Sequence, residues 1–472
     1  MDRRTFLQGS GALIGGGMIA GPFQGFVARA VGAAPKRAGY GSLRPVADHL
    51  DGAFRLDLPA GFNYRSFHHT GGALTSGGAI PGRHDGMAAF AGSRRNRYVL
   101  VRNHEVNGPV GAFGDPATAY DPLTGGGTIT VEVDRHGNVV NDQVSLNGTQ
   151  MNCSGGRTPW GSWISGEETV NGDDVGSDFT GAPNDGLRKH GYLFEVPAGG
   201  GAASGPITAA GRFAHEAVAI DPSTGAAYLT EDNFGFPSGF YRYTPPNDPM
   251  ADGHLADGGV LEMLAVDGAP GEDLSDAESG NSYGVTWVVI DDPDPTFAPG
   301  TTNNEAIVAV GDQGRAKGAA TFSRLEGATE HGGIVYFVST QGGATPPGDS
   351  APSGFGDGRG QVWAYDPQAS TLTCVYESPG SEMLDLPDNV VASGSGSLVL
   401  CEDGSGDNFL RGLTPAGDLF TFARNADPDQ VGQEFAGATF SPDGKTLFVN
   451  IQSGSGYSVA IWGPWARGAF GG

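Results

Sequence analysis

The sequence predicts an all-β protein, a six-bladed β-propeller with loop insertions, and three observations carry that prediction. Helical periodicity is nearly absent. Short apolar or alternating runs bounded by Gly, Pro, Asp and Asn recur instead, as in Tyr98–Val101, Thr128–Val133 and Gly333–Val338, which is the pattern of β-strands. One strand–turn–strand unit also recurs six times, with starts about 50 to 110 residues apart, a spacing that suits four-stranded blades with insertions.

Taken in order, residues 1–30 read as an export address rather than as part of the fold. Arg3-Arg4 is followed by Phe6-Leu7 and the weakly apolar Gly11–Ala20, and Ala28-Arg29-Ala30 supplies an A-x-A cleavage pattern. That is a twin-arginine signal, and its apolar stretch is too short to span a bilayer. The expected product, residues 31–472, is a single propeller domain outside the cytoplasm, periplasmic or secreted.

The first copy of the repeat runs from His84-Asp85-Gly86-Met87 to the strand ending Asn103-His104-Glu105. The second runs from Cys153-Ser-Gly-Gly156 to Glu167-Glu168, and the third from His215-Glu216 to Glu231-Asp232. The fourth runs from Arg324-Leu-Glu326-Gly327 to Gln341, the fifth from Pro387-Asp388-Asn389 to Glu402-Asp403, and the sixth from Phe435-Ala-Gly437 to Gln452. Asp221–Gly225 and Ser441–Lys445 are hairpin turns by their Asp, Pro and Gly content. The Val266–Gly300 stretch, rich in Asp, Gly and Pro, reads as an insertion between the third and fourth copies.

Composition limits function. The chain has 472 residues, 81 of them Gly, and a formal charge of −26. Such acidity argues against a nucleic-acid partner and against anionic membrane surfaces. It leaves two readings, a solvated surface or carboxylates that hold cations. Innermost propeller strands point at a common axis, so equivalent positions converge. First-strand positions then bring Asp85, Glu216, Glu326 and Asp388 to one funnel, and second-strand positions bring Glu105, Glu168, Glu231 and Glu402. Eight such carboxylates repel one another unless cations neutralise them, and the bases expected nearby are few: Arg102, His104, Arg157, His215 and Arg324. Oxygen-rich sites suit Ca²⁺, whereas a Cys153 thiolate suits a softer metal such as iron or zinc. A ligand, a phosphate contact and a packed side chain all stay open for His215. Trp160 and Trp163 read as core packing. The three cysteines, Cys153, Cys374 and Cys401, leave at least one thiol unpaired, and a Cys374–Cys401 bridge stays open.

Several segments together resemble the PhoX-type alkaline phosphatases: Val101–Glu105, Asn152–Trp163 with Glu167-Glu168, Arg212–Glu216, Tyr228–Asp232, Gly239–Tyr243, Ser323–Glu326 and Phe435–Gly444. The resemblance implies a monomeric six-bladed propeller that hydrolyses phosphomonoesters with calcium and iron, as Ca²⁺ and Fe³⁺, in the channel mouth. It implies metal ligation by Cys153, Glu216, Glu231 and Glu326, with Glu168, Asp388 and Glu402 joining them, and a phosphate contact from Arg324. His215, read from the residues themselves, is the second catalytic candidate. The end of the sixth copy departs from the family, because Gln452 is followed by Ser453-Gly454 and not by His-Pro. Two rivals use the same acids differently: a calcium-dependent propeller lactonase, and a non-catalytic binding propeller stapled by metals.

Overall fold

A computed structural model describes residues 38–247, 250–251 and 253–471. The twin-arginine segment expected over residues 1–30 lies outside the described residues. The described chain is all-β, with 26 strands. Its α-helices are two short segments, Asn303–Ile307 and Ala309–Arg315. The first of these starts on a capping box, with Thr302 and Glu305 each satisfying the other's backbone N–H.

The strands form five hydrogen-bonded sheets in a propeller-like arrangement. Six innermost strands, His84–Ala91, Asn152–Arg157, His215–Ile220, Leu325–His331, Pro387–Ala392 and Phe435–Phe440, are the starts of the six sequence repeats. Each packs beside the next, and the sixth returns to the first, so they surround one axis. Apolar clusters fill the wedges between successive groups. Ala88 and Phe90 meet Trp163 and Phe194, for example, while Met87 and Leu100 meet Phe448 and Ala460. Burying each Phe, Leu or Met among them contributes about 1.5–3 kcal/mol.

The sheets are not six separate blades. Ser282–Val289 lies inside the stretch expected to be an insertion, yet it is a strand, pairing with Val260–Val266 on one edge and with Thr371–Glu377 on the other. It thereby fuses the third and fourth groups into a nine-stranded sheet. Near the chain's ends, Asn63–Phe67 pairs with Tyr457–Trp462 and completes the sixth group. Cys374 and Cys401 are buried in different apolar clusters and are not bridged.

Candidate active site

Each innermost strand carries the same irregularity near its start. The ladder to its partner slips between His84 and Met87, Asn152 and Gly155, His215 and Val218, Leu325 and Ala328, Pro387 and Val390, and Ala436 and Thr439. A bulge re-aims the side chain at that point. In the first five strands the second residue is there: Asp85, Cys153, Glu216, Glu326 and Asp388; in the sixth the slip comes one residue later, and Ala436 still pairs with Asn450. Neighbouring groups brace several of these bulges. Asn103 donates to the Cys153 and Ser154 carbonyls, Thr230 to that of Glu326, Thr340 to that of Pro387, and Asn450 to that of Asp85.

The second strands divide their acids by register. His104, Glu167, Glu231 and Glu402 pair with the first residues of their inner strands. The next residues, Glu105, Glu168, Asp232 and Asp403, therefore face the other way, toward the axis, because side chains alternate along a strand. In all six groups the N–H of this next residue donates to the carbonyl just before the inner strand. The pairs are Glu105 to Arg83, Glu168 to Met151, Asp232 to Ala214, Thr340 to Arg324, Asp403 to Leu386 and Gln452 to Glu434.

This register separates the expected residues. Cys153, Glu168 and Glu216 come together with ligand atoms within 4.8 Å of one another, as do Glu216, Glu326 and Asp388, and Asp388, Asp403 and Glu434. Glu216 and Asp388 are shared, so the clusters form a chain. Glu231 and Glu402 lie outside all three. Glu231 accepts from the Gly239 N–H, the Tyr241 hydroxyl and the Asn233 amide. Glu402 accepts from the Asp385 and Phe409 N–H groups and pairs with Arg411 at 2.7 Å. Both are one residue out of the axis-facing register. Their neighbours Asp232 and Asp403 were missed, although each Glu-Asp pair was visible in the sequence. Glu434 was missed too, because it precedes its inner strand.

The electrostatics are those of excess negative charge. Burial, followed by repulsion from neighbouring carboxylates, raises Asp85, Glu168, Glu216, Glu326 and Glu434 well above the ordinary carboxylate range. Burial also pushes Glu105 and Asp403 up to about 7 and Asp388 to about 6. The Cys153 thiol is held up by burial and by Asp85 and Glu216. Both Glu216 oxygens are buried and accept no hydrogen bond of good geometry among the described residues, although the Cys153 thiol lies close enough to lower its pKa somewhat. A buried carboxylate without donors is costly, and a cation answers it. Thiol and carboxylates in one cluster, carboxylates alone in the others, fit metal ions.

The candidate bases are scattered. Arg324 sits at the mouth, with Nη2 at 2.7 Å from both Asp232 and Glu326 and the guanidinium 5.1 Å from the Phe234 ring centre. His215 is buried, its Nε2 donating to the Gly211 carbonyl at 2.9 Å and its ring against Phe213. Burial drops its pKa to about 3, so it is a neutral, packed side chain. Arg102 is buried away from the clusters on Ser458, His68 and His104. Arg157 lies against Phe90 and lines a cavity of about 470 Å³ at the far ends of the inner strands. None of the clustered acids lines that cavity, so it stands apart from the metal-type chemistry. Trp163 is buried, donating to Asn103, and Trp160 donates to Glu195.

Comparison with known proteins follows the same lines. The profile of the alkaline phosphatase PhoX family matches residues 39–143 and 138–455. The structure of Pseudomonas fluorescens PhoX in complex with vanadate, a transition-state analogue, superposes with a TM-score of 0.63 at 18% identity, covering 92% of this chain and 99% of that one. A gluconolactonase from Xanthomonas campestris reaches 0.41 at 12% identity over 92% and 99% of the two chains. A virginiamycin B lyase from Staphylococcus aureus reaches 0.39 at 11% over 85% and 99%. No curated protein sequence matches the chain.

Proposed function

The chain belongs to the alkaline phosphatase PhoX family and is a phosphatase, and from that premise we propose that it hydrolyses phosphomonoesters at the chain of acid clusters in the channel mouth. The observation that carries the site is Glu216, whose two buried oxygens accept no hydrogen bond of good geometry among the described residues and which joins the Cys153–Glu168 cluster to the Glu326–Asp388 cluster. Cys153, Glu168 and Glu216 would hold the transition metal that a thiolate can bind, which we take as iron, Fe³⁺. Glu326, Asp388, Asp403 and Glu434 would hold hard Ca²⁺. Asp232 and Asp403 replace Glu231 and Glu402 in this assignment.

Cations bound there supply charge neutralisation and Lewis acidity toward phosphate oxygens. The chain's own residues do the rest. Asp232 and Glu326 hold the Arg324 guanidinium through Nε and Nη2. Its Nη1 takes part in neither pair and is the donor offered to a phosphate oxygen, where it opposes charge developing in the transition state. Thr340, the hydroxyl in the axis-facing register, donates to the Pro387 carbonyl at 2.7 Å, which favours direct hydrolysis over a phosphothreonine route. The vanadate bound by the Pseudomonas protein is consistent with such a phosphoryl-binding mouth.

We further read the architecture as a six-bladed propeller whose third and fourth blades share an edge strand. We read the mature protein as a monomer, exported by the twin-arginine route to the periplasm or medium. No helix among the described residues is long and apolar enough to cross a membrane. The test is elemental analysis of the purified mature protein together with p-nitrophenyl phosphate turnover with and without chelator. Iron plus calcium with chelator-sensitive turnover is the expected result. Neither metal, and no turnover after both are added back, overturns the reading.

A further inference from the structure

The residue just before each inner strand is a structural equivalent across the six groups, because its carbonyl accepts the same N–H in each. At four of these positions the backbone has positive φ: Arg83 at 54°, Met151 at 44°, Arg324 at 43° and Leu386 at 49°. That left-handed conformation is strained for a residue with a side chain. Two of the four are arginines, on the first and fourth inner strands, so they face each other across a ring of six.

The two arginines are held very differently. The Arg324 side chain is 14% exposed and paired at 2.7 Å with two carboxylates. The Arg83 side chain is 56% exposed, and its ion pair with Glu105 is loose, at 3.7 Å. Its backbone is nevertheless fixed, the N–H donating to the Ser453 carbonyl at 2.7 Å and the carbonyl accepting from Glu105 at 2.9 Å. Arg83 is thus a rigidly rooted, solvent-facing cation on the rim of a strongly acidic mouth. Its own strand pair supplies Asp85 and Glu105, neither of which belongs to the three candidate metal clusters. It therefore stands at the edge of the mouth that these clusters do not occupy.

We propose that the alcohol part of a bound ester lies at that edge, and that Arg83 is a specificity residue that contacts a second anionic group, carboxylate or phosphate, on it. The proposal rests on the phosphomonoesterase reading above. A guanidinium pairs bidentately with either group, and at 3.7 Å from Glu105 that of Arg83 is not held by a hydrogen bond as that of Arg324 is. An uncharged alcohol makes no such contact, so the preferred substrates are esters of anionic alcohols.

The experiment uses the metal-loaded full chain with Arg83→Ala and Arg83→Lys. It compares phosphoglycolate, whose alcohol bears a carboxylate, with p-nitrophenyl phosphate. Arg83→Ala is expected to lower the ratio of kcat/KM for phosphoglycolate over p-nitrophenyl phosphate about tenfold, mainly through KM, the size of one charge-assisted contact. Arg83→Lys keeps part of the preference. Calorimetric binding of phosphonopropionate against ethylphosphonate reads the same contact without turnover, and the Kd ratio shifts in parallel. An unchanged ratio in Arg83→Ala overturns the proposal, as does an equal loss for both ligands, which would place Arg83 on the transferred group. If the wild type turns over neither ester, the functional reading fails while the phosphonate pair still judges Arg83.

Discussion

Adjacent acids on the second strands have opposite tasks. Glu402 accepts two backbone N–H groups and the Arg411 guanidinium, whereas Asp403 turns to the axis and joins Asp388 and Glu434. Glu402→Gln is therefore expected to cost about 3–5 kcal/mol in urea unfolding, as for a broken buried ion pair, with metal content per folded molecule unchanged. Glu216→Gln is expected to do the reverse, lowering metal stoichiometry and cutting kcat by roughly 10²-fold or more, with little loss of metal-free stability. Equal metal content in Glu216→Gln and the wild type would remove Glu216 from the site. His190 gives a pH signature away from the clusters. Burial lowers its pKa, but the carboxylates of Glu167, at 2.6 Å, and Asp121 outweigh burial and hold it up at about 9. A raised histidine contributes its full stabilisation below its ordinary value of 6.5 and loses it as pH rises through 9. Unfolding free energy of the metal-loaded protein should thus fall between pH 7 and 10, and the fall should shrink in His190→Gln.

Where two inner strands approach at the axis there is no room for a side chain. A Cβ on Gly437, where φ is +61°, would lie 2.3 Å from the Asp85 carbonyl oxygen on the first strand. Gly437→Ala combines a left-handed backbone with a clash against main chain, so it is expected to cost roughly 2–4 kcal/mol and to shift Asp85. Denaturant titration checks the first effect, and a change in metal affinity the second. An alanine tolerated within about 0.5 kcal/mol would mean that the two strands separate here at little cost. These glycines were visible in the sequence, as were all six inner-strand starts and Cys153, Glu216, Glu326 and Asp388, because each opens an apolar run at a recognisable turn. Register was not visible. A slip of one residue reverses a side chain's face, and only the pairing of His215 with Glu231 and of Pro387 with Glu402 separates the structural acid from the axial one. Ser282–Val289 was hidden for a related reason: its partners on both edges lie in different repeats. Arg83 was unreadable because its likeness to Arg324 resides in φ and in a shared backbone hydrogen bond, not in flanking residues.

Across the whole molecule, the acids form two populations with opposite responses to pH. Surface acids such as Asp51, lowered by its bond to Arg55, favour the folded state when ionised. The mouth acids do not: Asp388 is raised to about 6 and Glu105 and Asp403 to about 7, all through burial. Without cations the folded mouth holds protons that the unfolded chain releases at ordinary carboxylate pKa values near 4. The sign follows from linkage: where the folded state binds more protons, stability falls as pH rises. Metal-free protein is therefore expected to lose thermal stability steadily between about pH 4.5 and 8. Cations invert this, because they bind the ionised acids of the folded state and compete with those protons. At a thousandfold excess over Kd a single site adds about 4 kcal/mol, an increment that grows with pH while the acids are losing protons. Calorimetric Tm measured against pH, with calcium and iron or with chelator, should give two curves that meet near pH 4.5 and diverge toward pH 8. Parallel curves would show that the ions bind elsewhere than the mouth, and a chelated protein most stable at pH 8 would show that these carboxylates are not the buried, mutually repelling set that the six-fold register assembles.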